Sequence, residues 1–285
     1  MEKLPNEFVE DVVALVPSAP KKPFLTEAQQ SLKTYWQYGS KAMRMAAAVG
    51  TGAYMIIVNR TYRDPNNFKY APKVSHFCKL AADAFNIEVT VHGEMPRTQA
   101  LWVSNHISWM DIPVVGSKAW VFFLAKAEMA TWPVVGFLAK GGGTLFIKRG
   151  SGDGNAVKDQ MAAILKRHIP VLFFPEATTT DGRSVKKLYG KLLGSALETG
   201  TPIQPLVLCY VDEHGKLDTQ APFIDDDSLD EHIGIIIRRD KINAHLMPLD
   251  AISPEGHSLE SLTDLLHARM NEGLSRLHQL VLRQG

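Results

Sequence analysis

The amino-acid sequence predicts an α/β fold in which a mostly parallel sheet is flanked by helices and preceded by an N-terminal helical segment. Beyond residue 86, short apolar runs of strand length alternate with segments of helical character. Runs that are apolar throughout, without alternating polar residues, are typical of strands buried on both faces. The stretch from residue 45 to residue 59 contains no charged residue and comes before this pattern.

The N-terminal part is expected to comprise an extension and a membrane-associating helical segment over residues 1–60, and the main domain residues 61–285. Residues 1–30 mix charges with prolines, which limits them to a short helix near residues 7–16. The uncharged stretch 45–59 is shorter than the roughly 20 apolar residues that span a bilayer. Basic and aromatic residues precede it, a mixture that suits a helix at a lipid headgroup boundary, although a buried core helix fits equally well.

The main domain contains the alternating elements. The candidate strands are residues 87–92, 100–104, 120–125, 143–148, 169–174, 203–210 and 233–237. The candidate helices are residues 155–168, 186–199 and 259–282. Strands that alternate with helices in this way favour parallel pairing, with helices on both faces of the sheet.

The composition excludes several function classes. The formal charge of +1 and the sequence pI near 7.8 provide no overall electrostatic case for a nucleic-acid partner. Cys78 and Cys209 are too few for a disulfide framework, and we expect both to be reduced, buried thiols. The sequence lacks a Gly-x-Ser-x-Gly elbow and an HExxH motif, and the acidic run at 225–227 lacks the glycine and spacing of a calcium loop. We therefore expect no metal site.

The first polar motif, NHISWMD, follows the strand at 100–104 and contains Asn105, His106, Ser108 and Asp111. Ligands gather at the carboxyl ends of strands in an open sheet, so this histidine is well placed for chemistry. If a helix begins near Ser108, Asp111 can approach His106 and fix its tautomer, which leaves the other ring nitrogen free to accept a proton. Alternatively, the aspartate caps the helix and the histidine has a structural role.

The second motif, GGGTLFIKR, enters a strand through glycines and leaves it through Lys148 and Arg149. The planar fork of an arginine suits a phosphate, although two cations at a strand end are also often simply solvated. The third motif, FPEATTTDG, follows the strand at 169–174. Its carboxylate, Glu176, can hydrogen-bond a polyol or hold a cation such as Arg149, so the sequence leaves its role open.

A basic segment, Arg183 to Lys191, follows the third motif. Its cations suit a phosphate, a thioester carrier or an anionic lipid, and an ordinary exposed helix face fits them equally well. The fourth motif, TPIQPL, carries no titratable group and is expected to shape an apolar pocket or a turn.

These four motifs, in this order, resemble the acyltransferase family that includes bacterial 1-acylglycerol-3-phosphate and glycerol-3-phosphate acyltransferases, over roughly residues 85–210. The segment FLAKAEMATWPVVGFLAKGGG, which contains Lys126, is also similar to that family. One position departs from the family pattern: Ala177 stands where the third motif normally has glycine. If that position needs a positive φ, an alanine there is strained.

The resemblance implies that His106 is the general base and Asp111 its orienting partner. It implies that Arg149 binds an acceptor phosphate and that Glu176 positions the acceptor. Asn105, Ser108, Lys126 and Thr178 are further candidate substrate-binding residues. The resemblance implies no cofactor: an acceptor hydroxyl attacks the thioester of acyl-CoA or acyl carrier protein directly.

The expected acceptor is a lysophospholipid, in particular 1-acyl-sn-glycerol-3-phosphate, which would give phosphatidic acid. A lyso-ornithine lipid is the alternative acceptor. A non-catalytic membrane-binding or carrier-binding module is the alternative from another class, but the complete set of His106, Asp111 and Glu176 argues against it. The expected location is the cytoplasmic face of the inner membrane, as a peripheral or monotopic protein, because no basic start and apolar run typical of a signal peptide opens the sequence.

Overall fold

The computed structural model describes residues 24–65, 67–147, 154–224 and 227–283. The chain divides into two compact units, residues 1–40 and residues 41–285. The larger unit contains one seven-stranded sheet with the strand order β1-β7-β6-β2-β5-β3-β4. Its strands are β1 (Ile87–Val91), β2 (Leu101–Ser104), β3 (Phe122–Lys126), β4 (Leu145–Ile147), β5 (Val171–Phe173), β6 (Ile203–Val211) and β7 (Ile242–Pro248).

All neighbouring strands pair in parallel except β6 and β7, which are antiparallel. The central strands β2 and β6 are buried at every position, as their continuous apolar sequences predict. The prediction of a mostly parallel α/β sheet flanked by helices is therefore confirmed. β2 lies between β6 and β5, so the segments that follow these three strands come together at neighbouring positions of the sheet.

Helices cover both faces of this sheet. In the described part of the chain the α-helices are α1 (Phe24–Asn59), α2 (Ala71–Ala84), α3 (Asp111–Gly116), α4 (Pro133–Gly141), α5 (Gly154–Leu165), α6 (Gly194–Thr199), α7 (Leu229–Arg238) and α8 (Leu259–Val281). One face packs against α2, α3 and α7, around Trp102 of β2. The other packs against α5 and α8, around Leu101 and Val103 of the same strand. The alternation of side chains along a strand accounts for this division into two cores. Cys78 and Cys209 are both free and buried, as predicted.

The prediction of a strand at residues 233–237 is wrong. These residues lie within α7, which begins after Ser228, whose hydroxyl accepts a hydrogen bond from the backbone N–H of Glu231. That cap and the acidic residues of the first turn favour a helix over a strand. The seventh strand is β7, which was not predicted because polar residues interrupt its apolar pattern.

Residues 41–59 of α1 pack against α2 and α4. A β-carbon added to Gly52 would lie 2.8 Å from the ring of Phe77, and one added to Gly141 would lie 2.4 Å from Ile56. Glycine at these two positions therefore permits the close approach of the helices. Among the helices of the described residues, none is both long and apolar enough to cross a membrane. The short helix predicted near residues 7–16 lies outside the described residues.

Candidate active site

The polar motifs meet where β2 and β5 end. His106 lies two residues after the end of β2, and Glu176 lies three residues after the end of β5. Parallel pairing of β2 with β5 aligns their carboxyl ends, so two segments that are distant in sequence become neighbours.

His106 and Asp111 form a direct pair. The Nδ1 atom of His106 lies 2.8 Å from Oδ2 of Asp111, and the same oxygen accepts the backbone N–H groups of Ile107 at 2.7 Å and Ser108 at 3.0 Å. Asp111 begins helix α3, and this local turn brings its carboxylate back towards the histidine. The Asp111 side chain is 0% exposed, whereas that of His106 is 20% exposed. Since the carboxylate only accepts, Nδ1 carries the proton and Nε2 is the accepting nitrogen.

The imidazole of His106 is also held by packing and by its own backbone. Its ring stacks on Phe174, with 3.9 Å between ring centroids and 12° between ring planes. The backbone carbonyl of His106 accepts the backbone N–H of Thr180 at 2.8 Å and its hydroxyl at 3.1 Å. These contacts join the segment after β2 to the segment after β5 and restrict the orientation of the ring.

Glu176 reinforces the same junction. Its Oε1 accepts the backbone N–H of His106 at 2.8 Å, and its Oε2 accepts that of Lys186 at 2.7 Å. The residue is only 2% exposed. Burial raises the pKa of this carboxyl group, and the two backbone hydrogen bonds act in the opposite direction. Both carboxylate oxygens therefore bind protein backbone in this structure.

Ala177 has φ of 61°, in the left-handed region that favours glycine. Its backbone N–H donates to the carbonyl of Phe174 at 3.2 Å, which closes a tight turn that contains Glu176. The departure from glycine noted in the sequence therefore occurs at a position with positive φ.

The other candidate substrate-binding residues lie in different surroundings from one another. Asn105 is buried, and its side chain both donates to the carbonyl of Leu208 at 3.0 Å and accepts the N–H of Leu208 at 2.8 Å. Ser108 is also buried, and its hydroxyl is without a hydrogen-bond partner in the described part of the chain. Lys126 and Thr178 are exposed. Arg149, predicted to bind an acceptor phosphate, lies outside the described residues.

Two residues at this site were not identified from the sequence. Phe174 stacks on the imidazole, and the Tyr210 hydroxyl donates to Oδ1 of Asp111 at 2.8 Å. A tyrosine within an otherwise apolar strand is a usable signal, because a buried phenol needs a hydrogen-bond partner. Within the described residues, no group of three or more His, Cys, Asp or Glu side chains could hold a metal ion.

Comparisons with known proteins identify a family to which the sequence is similar. A family model described as Acyltransferase matches residues 87–209. The chain is 46% identical to a lyso-ornithine lipid O-acyltransferase of Pseudomonas aeruginosa over 61% of this chain and 67% of that protein. It is 33% identical to a 1-acyl-sn-glycerol-3-phosphate acyltransferase of Neisseria gonorrhoeae over 51% of this chain and 58% of that protein.

A solved structure shares the fold. It is the crystal structure of the 1-acyl-sn-glycerophosphate (LPA) acyltransferase, PlsC, from Thermotoga maritima, with a TM-score of 0.57 and 20% sequence identity. The match covers 86% of this chain and 99% of the other.

Proposed function

Because the chain belongs to the acyltransferase family, we propose that it moves a fatty acyl group from an acyl thioester to the free hydroxyl of a lysolipid. The observation that carries this proposal is the state of His106. Its Nδ1 is bonded to a buried carboxylate, while its Nε2 has no protein partner among the described residues and the side chain is partly exposed. A base that can accept one proton from an incoming hydroxyl requires this arrangement.

In the proposed reaction, Nε2 of His106 removes the proton from the acceptor hydroxyl as the oxygen attacks the thioester carbonyl carbon. The new C–O bond forms a tetrahedral oxyanion, and the carbon–sulfur bond then breaks to release a thiol. The imidazolium returns its proton to the departing sulfur, so the enzyme ends the cycle unchanged. Asp111 stabilises the transient imidazolium, and general base catalysis of this kind typically contributes about 10²- to 10⁴-fold.

We propose that Glu176 acts by positioning the base. Its carboxylate accepts the backbone N–H of His106, and its position is fixed in turn by the N–H of Lys186. The buried carboxylate therefore holds the histidine's backbone in place, and a direct contact with the acceptor is not needed to explain its presence.

The tetrahedral oxyanion needs hydrogen-bond donors, and only backbone N–H groups that have no other acceptor can serve. The N–H groups of residues 106–108 already donate to the carboxylates of Glu176 and Asp111. In contrast, the backbone N–H groups of Thr178 and Thr179 donate to no acceptor in the described part of the chain. We propose that these two amides, which lie within the third motif directly after Ala177, stabilise the oxyanion.

Two lysolipids are candidate acceptors. Lyso-ornithine lipid is favoured because the Pseudomonas aeruginosa relative, which shares more identical residues with this chain, is named for it. The neisserial relative supports 1-acyl-sn-glycerol-3-phosphate as the second candidate. The donor is proposed to be acyl-CoA or acyl carrier protein, since both present a thioester.

The test is an acceptor panel with the purified full-length chain in detergent micelles and radiolabelled acyl-CoA or acyl carrier protein. We expect acyl transfer to lyso-ornithine lipid, lost in His106→Ala and retained in a control variant of the exposed His214, His214→Ala. Transfer to neither lysolipid from either donor, or activity retained by His106→Ala, would refute the proposal. Arg149→Ala should raise the KM for an acceptor that carries a phosphate and leave the KM for lyso-ornithine lipid unchanged.

We also propose that the protein binds the cytoplasmic face of the inner membrane as a peripheral protein, where cytosolic acyl thioesters meet membrane lipids. Its support is an exposed apolar surface on α1 and α4, which pack together through Gly141 and Ile56. This apolar face consists of Tyr54, Ile57, Val58, Trp132, Val134, Val135 and Phe137. Exposed apolar residues on neighbouring helices are typical of an interaction site. The exposed cations Arg60 and Lys140 follow or accompany them in the sequence and suit anionic lipid headgroups.

Sedimentation with phosphatidylglycerol vesicles tests the apolar face. Val135→Glu should weaken sedimentation with the vesicles, because it places a carboxylate against the lipid. The matched control is Leu280→Glu, which changes an exposed leucine on α8 and should sediment like the wild type. Equal sedimentation of both variants would exclude the apolar face as the membrane-binding surface.

A further inference from the structure

The aspartate of the catalytic pair has a third partner on a distant strand. Tyr210 lies on β6, is 2% exposed, and its hydroxyl donates to Oδ1 of Asp111 at 2.8 Å. We propose that Tyr210 is a positioning residue for acyl transfer, which fixes the carboxylate of Asp111 and thereby sets the basicity of His106. This inference rests on the proposed function, in which His106 is the base.

The hydrogen bonds of Asp111 are divided unequally between its two oxygens. Oδ2 accepts three donors, namely the ring N–H of His106 and the backbone N–H groups of Ile107 and Ser108. Oδ1 accepts the Tyr210 hydroxyl and no other donor in the described part of the chain. Because Asp111 is fully buried, water does not replace a lost donor without rearrangement of the core. Tyr210 therefore supplies the hydrogen bond that Oδ1 of Asp111 accepts in the described part of the chain.

The backbone of β6 holds Tyr210 in register with the active-site segment. Asn105, directly before the catalytic histidine, makes two hydrogen bonds to the backbone of Leu208. Leu208 and Tyr210 are two residues apart on one strand, so their side chains point to the same face of the sheet. The clamp at Leu208 therefore fixes the distance between the tyrosine hydroxyl and the segment that carries His106 and Asp111.

The Tyr210 hydroxyl influences how strongly the Asp111 carboxylate attracts the proton on His106. Burial, followed by the neighbouring Asp111 carboxylate, raises the pKa of Tyr210 well above its ordinary value, so the phenol remains a donor at neutral pH. A hydrogen bond to Oδ1 stabilises the carboxylate and lessens its attraction for the imidazolium proton. Removal of that hydrogen bond should therefore strengthen the attraction of Asp111 for the imidazolium and make His106 a stronger base.

Other ionisable groups also face this cluster. Glu176 approaches His106 from the segment after β5, and Cys209 is the neighbour of Tyr210 on β6. Asp218, in the segment after β6, is paired with Arg239 at 2.5 Å. None of these groups contacts Oδ1 of Asp111, so a change at Tyr210 should leave their electrostatic effect on the pair unchanged.

The test compares Tyr210→Phe with Tyr70→Phe in the full-length protein. Tyr70 donates to a backbone carbonyl, that of Asn59 at 3.1 Å, and so provides a matched loss of one phenolic hydrogen bond outside the site. We expect Tyr210→Phe to lower kcat about 10- to 100-fold, the range that corresponds to losing a hydrogen bond to a charged group. The KM for the lysolipid should stay within about twofold, because the residue does not touch the acceptor.

The decisive measurement is the acid limb of the pH profile of kcat/KM, which reports the base of the free enzyme. It should move to higher pH by about 0.5–1 unit in Tyr210→Phe and stay in place in Tyr70→Phe. A purely structural role would lower activity at every pH without moving this limb, and that result would overturn the proposal.

A second variant covers the case in which Tyr210→Phe does not fold. Site-specific 3,5-difluorotyrosine at position 210 keeps the shape of the side chain and makes the hydroxyl a stronger donor, so the acid limb should move to lower pH. An unmoved limb in this variant would also overturn the proposal. A wild-type enzyme that acylates no lysolipid would instead refute the proposed function, so the two failures are distinguishable.

Discussion

Ala177→Gly is expected to stabilise the protein, because Ala177 has a left-handed backbone at the end of the turn that contains Glu176. A non-glycine residue in this region carries a penalty of roughly 1–2 kcal/mol. Glycine avoids that penalty but increases the conformational entropy of the unfolded chain, which costs about 0.4–1 kcal/mol. The partly exposed methyl group contributes little burial. The net gain in the free energy of unfolding should therefore be about 0.5–1 kcal/mol.

Urea denaturation of wild type and Ala177→Gly at a fixed pH measures this difference. The midpoint should rise with no change in the slope, and Tm should increase by about 1–4 °C. The rate of acyl transfer should change little, since the turn keeps its backbone conformation. Unchanged or lower stability in Ala177→Gly would refute the inference that this alanine is strained.

Gly182→Ala provides the matched control for that experiment. Gly182 also has a positive φ, of 72°, and a β-carbon there would lie 2.6 Å from Cδ1 of Ile107. The same left-handed penalty, together with this contact, should destabilise Gly182→Ala by at least about 1–2 kcal/mol. A higher free energy of unfolding in Ala177→Gly and a lower one in Gly182→Ala would identify backbone conformation as the cause.

Three further predictions concern side chains around the sheet. Glu176→Gln should lower the free energy of unfolding by about 1 kcal/mol, because one of two backbone N–H donors loses its acceptor; an unchanged urea midpoint would contradict this. Asn105→Ala should remove both hydrogen bonds to Leu208 and lower Tm by several degrees in calorimetry, at about 1 kcal/mol per bond; a Tm equal to that of wild type would show that the clamp is dispensable. Burial and the neighbouring His92 lower the pKa of His245, so stability should fall as pH drops below about 6.5. Denaturation at several pH values should show a smaller loss in His245→Gln, and an equal loss would exclude this histidine as the cause.

The sign of the histidine prediction follows from proton linkage. A lowered pKa means that the folded state prefers the neutral ring, so the unfolded state binds the proton first as the pH falls. The ring of His245 lies 3.0 Å from that of His92, and a charge on either ring is unfavourable for the other. The stability contributed by the neutral ring is therefore complete above the unfolded pKa and is lost below it.

Local patterns in the sequence determined the sheet's central strands and the pairing of His106 with Asp111. β2 and β6 are apolar at nearly every position, and that pattern alone identifies a strand buried on both faces. His106 and Asp111 are five residues apart, and one turn into a helix suffices to bring them together. Contacts of this range depend on backbone geometry near the motif, so they are predictable without the fold.

Only the tertiary structure decided which elements meet across the sheet. Residues 233–237 are apolar enough for a strand, yet the cap at Ser228 begins a helix there, while β7 is stabilised by pairing with β1 and β6. Glu176 is 70 residues from His106 in sequence, and Tyr210 is 99 residues from Asp111. Their contacts exist because the strand order places β2 between β5 and β6, and strand order depends on long-range pairing that local sequence patterns do not encode.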